Sequence, residues 1–346
     1  MKNRRFRQIR WGALALLVGG VWGFCYCPGA GEWYARHCYP SISYGLSRLA
    51  SVVPFSLEEV LVIGGGAAAL VAMMAARSQG VRWRKLAAVV LESVLWLYVW
   101  FYWAWGMNYF RAGLLERVGV EHAVYDETRF RAFLADYTSR LNAAYLPEQP
   151  LDLPVLQELL QTAFGQVEAV YGLCRPYPFQ HPKRSCCNAL YSGVGVLGYM
   201  GPFFAESHVN HDLLVRQYPF TYAHELSHLL GVSSEAEANY WAYRICISST
   251  DAYVRFCGYY GLLGYVLTNA QGALPQEDFV AWWQTVRPEV RRAYREHRLY
   301  WRQKYSPLLG HVQDKLYTLY LKGNKISSGQ KNYAQVIDLL LSLPAL

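Results

Sequence analysis

The first hundred residues alternate long apolar runs with short polar ones. Trp11 to Cys27 carries no charge, which is close to the shortest stretch that crosses a bilayer as a helix. A second uncharged run, Val60 to Ala76, contains Gly64-Gly65-Gly66, and a third, Leu86 to Trp105, is interrupted only by Glu92. These runs predict three transmembrane helices, about 11–27, 60–76 and 86–105, in an anchor made of residues 1–106. Residues 28–59 are polar and aromatic and suit an outside loop. The far end of the third run, with Trp96, Tyr98, Trp100, Tyr102, Trp103 and Trp105, has the composition of an interfacial aromatic belt.

From residue 107 to 346 the periodicity is that of a mainly helical domain. Thr128 to Ala144 and Val155 to Tyr171 show apolar residues at helical spacing on either side of the proline-bearing linker Leu146 to Pro154. Ala236 to Ile247 and Tyr253 to Ala270 are apolar on more than one face, which predicts buried helices. Phe279 to Tyr305 predicts one long amphipathic helix dense in arginine, with a solvated face as the first account and contact with anionic lipid headgroups as the second. Tyr317 to Tyr333 and Val336 to Leu341 predict two short closing helices. Only residues 173–218, rich in proline and then glycine, carry strand and hairpin signals. Within them Gly201 to Asn210 is the candidate edge strand, and a glycine-rich loop over the core is the alternative.

Charge then sharpens the topology. Lys and Arg outnumber Asp and Glu by 33 to 25, an excess that a nucleic-acid footprint would also produce. Nine of the basic residues, however, lie within residues 1–10 and 77–85, beside apolar runs and without an acid between them. This is the positive-inside pattern, and it argues against nucleic acid as a partner. With both basic segments inside, everything beyond residue 106 lies on the outer face of the membrane. Cys25-Tyr26-Cys27-Pro28 lacks a small-x-small cleavage site, so the first run is read as a retained anchor, with Gly29-Ala30-Gly31 leaving cleavage open. Glu92, about a turn and a half from the inner end of its run, is assigned a snorkelling or interfacial role. The eight cysteines include no C-x-x-C pair, which speaks against a cysteine zinc site; an outer location would permit disulfides of undetermined connectivity.

The candidate chemistry lies in residues 221–249. His224, Glu225 and His228 form H-E-x-x-H, which on a helix places both imidazoles on one face, a turn apart, with the carboxylate beside them. Pro219 precedes Thr221, a candidate N-cap, and Gly231 ends the helix. The serines of Ser233-Ser234-Glu235-Ala236-Glu237-Ala238-Asn239 can cap a second helix whose first turn carries two carboxylates. A catalytic zinc takes three protein ligands and a water. Here His224, His228 and Glu235 are the candidate ligands of Zn2+, with Glu237 in reserve, Glu225 is the candidate general base, and Asn239 is a candidate for orienting a ligand. His208 and His211 lie nearby without ligand spacing, and 28 tyrosines leave the oxyanion-stabilising group undetermined.

The E-x-x-A-N run at Glu235 resembles the segment that carries the third ligand in gluzincin metallopeptidases, whereas its short distance from His228, across H-E-x-x-H-x-x-G, resembles the metzincin layout. The chain as a whole resembles the domain of unknown function 3810 family, bacterial membrane proteins with an H-E-x-x-H site. The apolar spans, Trp105-Gly106-Met107-Asn108-Tyr109, the approach Pro219-Phe220-Thr221-Tyr222-Ala223 into the motif, the E-x-E-A-N run, and Tyr320-Leu321-Lys322 to Tyr333 carry that likeness. It implies a multi-pass protein of the bacterial inner (cytoplasmic) membrane. A zincin-like, gluzincin-like domain at 107–346 would lie on the periplasmic or extracytoplasmic side and act on a peptide or protein substrate. A catalytically silent zincin-like binding or scaffold protein in the bilayer is the alternative.

Overall fold

The computed structural model describes residues 2–311 and 335–343. The chain is mainly helical and divides into two units. One comprises residues 1–112 with the short segment 201–206, and the other residues 113–200 and 207–346. The division falls six residues beyond the end of the expected anchor.

In the first unit, α1 (Lys2–Tyr26), the continuous helix Leu57–Ser78 and α6 (Trp83–Ala104) are long and apolar enough to cross a membrane. The basic decapeptide does not precede the first helix but forms its opening turns. Side chains such as Leu16, Val62, Leu70 and Val89 are more than half exposed on these helices, an apolar surface that water does not tolerate at this extent and hydrocarbon does. Gly64 closes a π-helical turn, Val60–Gly64, at the head of the second helix. Residues 28–59 are not a loop. They fold as α2 (Ala30–His37), α3 (Tyr39–Ala50) and the single turn α4 (Leu57–Glu59) that opens the second apolar helix. Gly31 makes α2 possible at its site, because a Cβ there would collide with the backbone of Phe110. Arg111, almost fully buried, holds Glu32 of α2 at 2.9 Å. Tyr34 donates to the carbonyl of Trp103 at 2.7 Å. Glu92 is paired with Arg10, whose Nη2 donates to it at 2.9 Å, so within hydrocarbon the carboxylate has a specific partner.

The second unit is built around α12 (Glu235–Ile247), which packs between α11 (Tyr218–Leu229) and α13 (Ala252–Ala273); α8 (Glu127–Ala144) covers α13. Ala238, Tyr240, Trp241, Ala242 and Cys246 are buried all round α12, as its lack of a polar face predicts. Asp126, Asp152 and Asp251 cap α8, α9 (Leu153–Gly165) and α13, each accepting a backbone N–H from the first turn. The expected helix 279–305 is two: α14 (Gln276–Thr285) and α15 (Pro288–Lys304). Pro288 lacks an N–H and forces Arg287 to extended backbone, with ψ 134°, so the helix cannot run through. Of the two expected closing helices, Gln335–Ser342 is helical, while 317–333 lies outside the described residues.

The strand signals condense into one hairpin, β1 (Gly198–Gly201) and β2 (Glu206–Val209). The candidate edge strand, 201–210, is therefore half turn and half inner strand. β2 is buried throughout, pairing with β1 on one side and with Lys183 through a parallel bridge at His208 on the other. Among the described residues β1 is paired with a strand on one side only. Ala205, at φ 50°, closes the turn. All eight cysteines are free thiols.

Candidate metal centre

α11 begins at Tyr218 with Pro219 in its first turn, where the missing N–H costs nothing. Thr221 is thus a buried interior residue rather than the N-cap. The helix ends in a Schellman turn: Gly231, at φ 96°, donates to the His228 carbonyl at 3.0 Å and Val232 donates to that of Ser227 at 3.1 Å. This reversal brings the Val232 carbonyl back over the helix, 2.8 Å from Nδ1 of His228. A carbonyl only accepts, so Nδ1 of His228 carries a proton and Nε2 is the ring atom turned towards the cluster.

After the turn, Ser234 caps α12 by accepting from the Glu237 amide. Glu235 becomes the first residue of the helix, where the positive end of the peptide dipoles favours a carboxylate. Asn239, one turn further, places Oδ1 2.9 Å from Nδ1 of His224 and so fixes that ring in the same tautomer as its neighbour. The two Nε2 atoms lie 3.1 Å apart, and Oε2 of Glu235 is 3.2 Å from one and 3.8 Å from the other. Two imidazole Nε2 atoms and a carboxylate oxygen thus converge on one point.

These three spacings, 3.1, 3.2 and 3.8 Å, lie on either side of those of tetrahedral metal donors, within a few tenths of an ångström. With metal–ligand bonds near 2.0–2.2 Å, tetrahedral angles separate neighbouring ligand atoms by about 3.3–3.6 Å. The electrostatics point the same way. Burial opposes a charge on His228, but Glu235, then Glu225 and the Val232 carbonyl, outweigh it and raise its pKa to about 9. Burial also works against ionised Glu235, yet both imidazoles hold its carboxyl well below the usual range. Positive charge is favoured between these three side chains.

Glu237, the reserve ligand, is elsewhere. It faces away from the histidines, forming an ion pair with Arg117 and accepting from the Trp241 indole at 3.2 Å. Successive side chains turn by about 100° along a helix, so residues two apart on α12 cannot share one target. His208 is buried and stacks on Tyr199 with ring centroids 4.1 Å apart; His211 is exposed.

Glu225 is buried beside the cluster. Burial raises its pKa, the two histidines lower it and Glu235 raises it again, to about 7. Behind it lies Gly198 of β1: a Cβ there would fall 2.7 Å from both Cγ and Oε1 of Glu225 and 2.8 Å from the His208 carbonyl. Residues 191–201 contain four glycines, and nothing in their spacing singles out this one. Tyr265 of α13 is a further neighbour beyond the reach of pattern reasoning. Burial, then the Glu235 carboxylate, pushes the pKa of its hydroxyl upward, and Asn239 opposes that shift.

Helices of membrane-crossing length followed by a helical unit with two imidazoles and a carboxylate clustered across a helical turn define the class of protein. The family model described as "Protein of unknown function (DUF3810)" matches residues 34–341, and the chain belongs to that family. No curated protein and no solved structure matches the chain.

Proposed function

We propose that this chain is a membrane-anchored, zinc-dependent metallopeptidase with a zincin-like site. The observation that carries the reading is the convergence of Nε2 of His224, Nε2 of His228 and Oε2 of Glu235, with each imidazole turned outward-in by an acceptor at its Nδ1. Two imidazoles and one carboxylate suit zinc better than the hard, oxygen-seeking cations. When bound, zinc supplies Lewis acidity, polarising a carbonyl and lowering the pKa of water.

The chain's own groups do the rest. His224 and His228 hold their rings rigidly because Asn239 and Val232 fix their tautomers. Glu225, buried and next to the cluster, accepts a proton from the attacking water at a carboxylate oxygen and delivers it to the leaving amine. β1, whose Gly198 lies against Glu225, is paired with a strand on one side only among the described residues, and an extended peptide would add along its other side. In this reading the second unit lies on the extracytoplasmic side of a bacterial inner membrane, as the positive-inside pattern favours.

The test is hydrolysis of a peptide library by the full chain in detergent, beside Glu225→Gln. Cleavage that needs zinc and is abolished in Glu225→Gln is the expected result. Zinc bound by both proteins with cleavage by neither would favour a silent binding or scaffold role instead.

A further inference from the structure

The outer face of α15 belongs to none of the chemistry above. Arg292, Arg295, Arg298 and Arg302 are all exposed, and no carboxylate pairs with any of them among the described residues; the ion pairs of this region use Arg287 and Lys304 instead. At 100° per residue the four guanidinium groups fall within an arc of about 120° on the helix surface. Leu299 lies inside that arc and is 56% exposed, and just past the helix Leu308 is 78% exposed. Two acids of the helix, Glu296 and Glu289, flank the arc on one side, about 40° and about 60° beyond it, and Arg292 helps to hold the Glu289 carboxyl below its usual range. The face is therefore a basic stripe with one apolar side chain, Leu299, protruding from it.

We propose that this face docks on the anionic headgroups of the bilayer in which the chain is anchored. Three arguments favour a lipid surface over a soluble polyanion. Guanidinium groups pair bidentately with phosphate, the group every phospholipid presents. An exposed leucine among arginines is characteristic of helices lying in an interface, where the acyl boundary accepts the apolar side chain. And the bilayer is tethered: the third apolar helix ends at Ala104 and the second unit begins at Gly113, so headgroups are always at high effective concentration, whereas a nucleic acid or acidic protein must diffuse to the site. The proposal does not depend on the metal reading.

An environment-sensitive fluorescent amino acid at position 299 of the full chain tests it. The protein is reconstituted in vesicles of phosphatidylcholine alone or with phosphatidylglycerol, each carrying a headgroup spin-labelled lipid as quencher. Quenching at least twofold greater in the anionic vesicles is expected, lost in Arg295→Glu/Arg298→Glu and weakened by salt. Circular dichroism of that variant, unchanged, establishes that the surface and not the fold has been altered. Equal quenching in the two vesicles, or quenching indifferent to the charge reversal, overturns the proposal. So does a probe unquenched in both vesicles yet shielded from iodide in native membranes, which would assign the face to a protein partner.

Discussion

Gly198 and Glu225 meet so closely that the glycine's missing side chain is part of the site. A methyl group there must displace either the carboxylate or β1, because the His208 carbonyl blocks the other direction. On the proposed reading, Gly198→Ala is expected to lower peptide cleavage by about tenfold or more, the scale of a general base moved from its position, while bound zinc is unchanged. Metal analysis and initial rates on the same preparation check both halves. A second residue controls acid stability. His297 of α15 is half-buried among Tyr260, Tyr294 and Gln217; desolvation, then Arg216 and Arg298, lowers its pKa to about 4 from 6.5. The folded state therefore keeps it neutral while the unfolded chain protonates it. Its contribution is fully present above pH 6.5 and is lost as pH falls towards 4, a swing of about 3 kcal/mol at one pKa unit per ~1.4 kcal/mol. Thermal melts across that window should decline steeply for the wild type and less so for His297→Gln; parallel slopes would contradict the assignment.

At the scale of elements, the turn between α11 and α12 sets the geometry of the three clustered side chains. Gly231 in the left-handed region returns the Val232 carbonyl to His228, and Ser234 starts the next helix so that Glu235 faces the histidines. Gly231→Ala is expected to cost about 1–2 kcal/mol from backbone strain and to weaken zinc affinity together with stability, measured by chelator competition and thermal melts. Much of this turn was legible in the sequence: H-E-x-x-H, the glycine three residues on, and a serine before two glutamates. The choice between those glutamates was weighted only by likeness to other motifs, because it depends on which serine caps the helix, and either can. Thr221 was an error of the same kind, since Pro219 itself marks a first turn and the helix starts one residue before it. Pro288, too, stood in plain view within the expected long helix. The hairpin was signalled by its composition but not by its register, because the left-handed turn residue is Ala205 and not a glycine.

Across the whole molecule, the apolar runs and basic flanks were sufficient to locate three helices of membrane-crossing length, because hydrocarbon demands uninterrupted apolar surface and that demand is written directly in the side chains. The helical segment of residues 30–50 was not legible, since its stability comes from close approach, as at Gly31 and Phe110, rather than from periodicity. The same holds for Arg10 and Glu92, eighty-two residues apart, whose pairing no local pattern reveals. The central claim concerns the three side chains that converge between α11 and α12, and the most direct test is the zinc content of the purified full chain after dialysis against zinc and then buffer. The wild type and Glu225→Gln should each retain about one zinc per chain, and His228→Ala should retain none, as expected when one of three protein ligands is removed. A wild type that holds no divalent ion, or a His228→Ala variant that holds as much as the wild type, would contradict it.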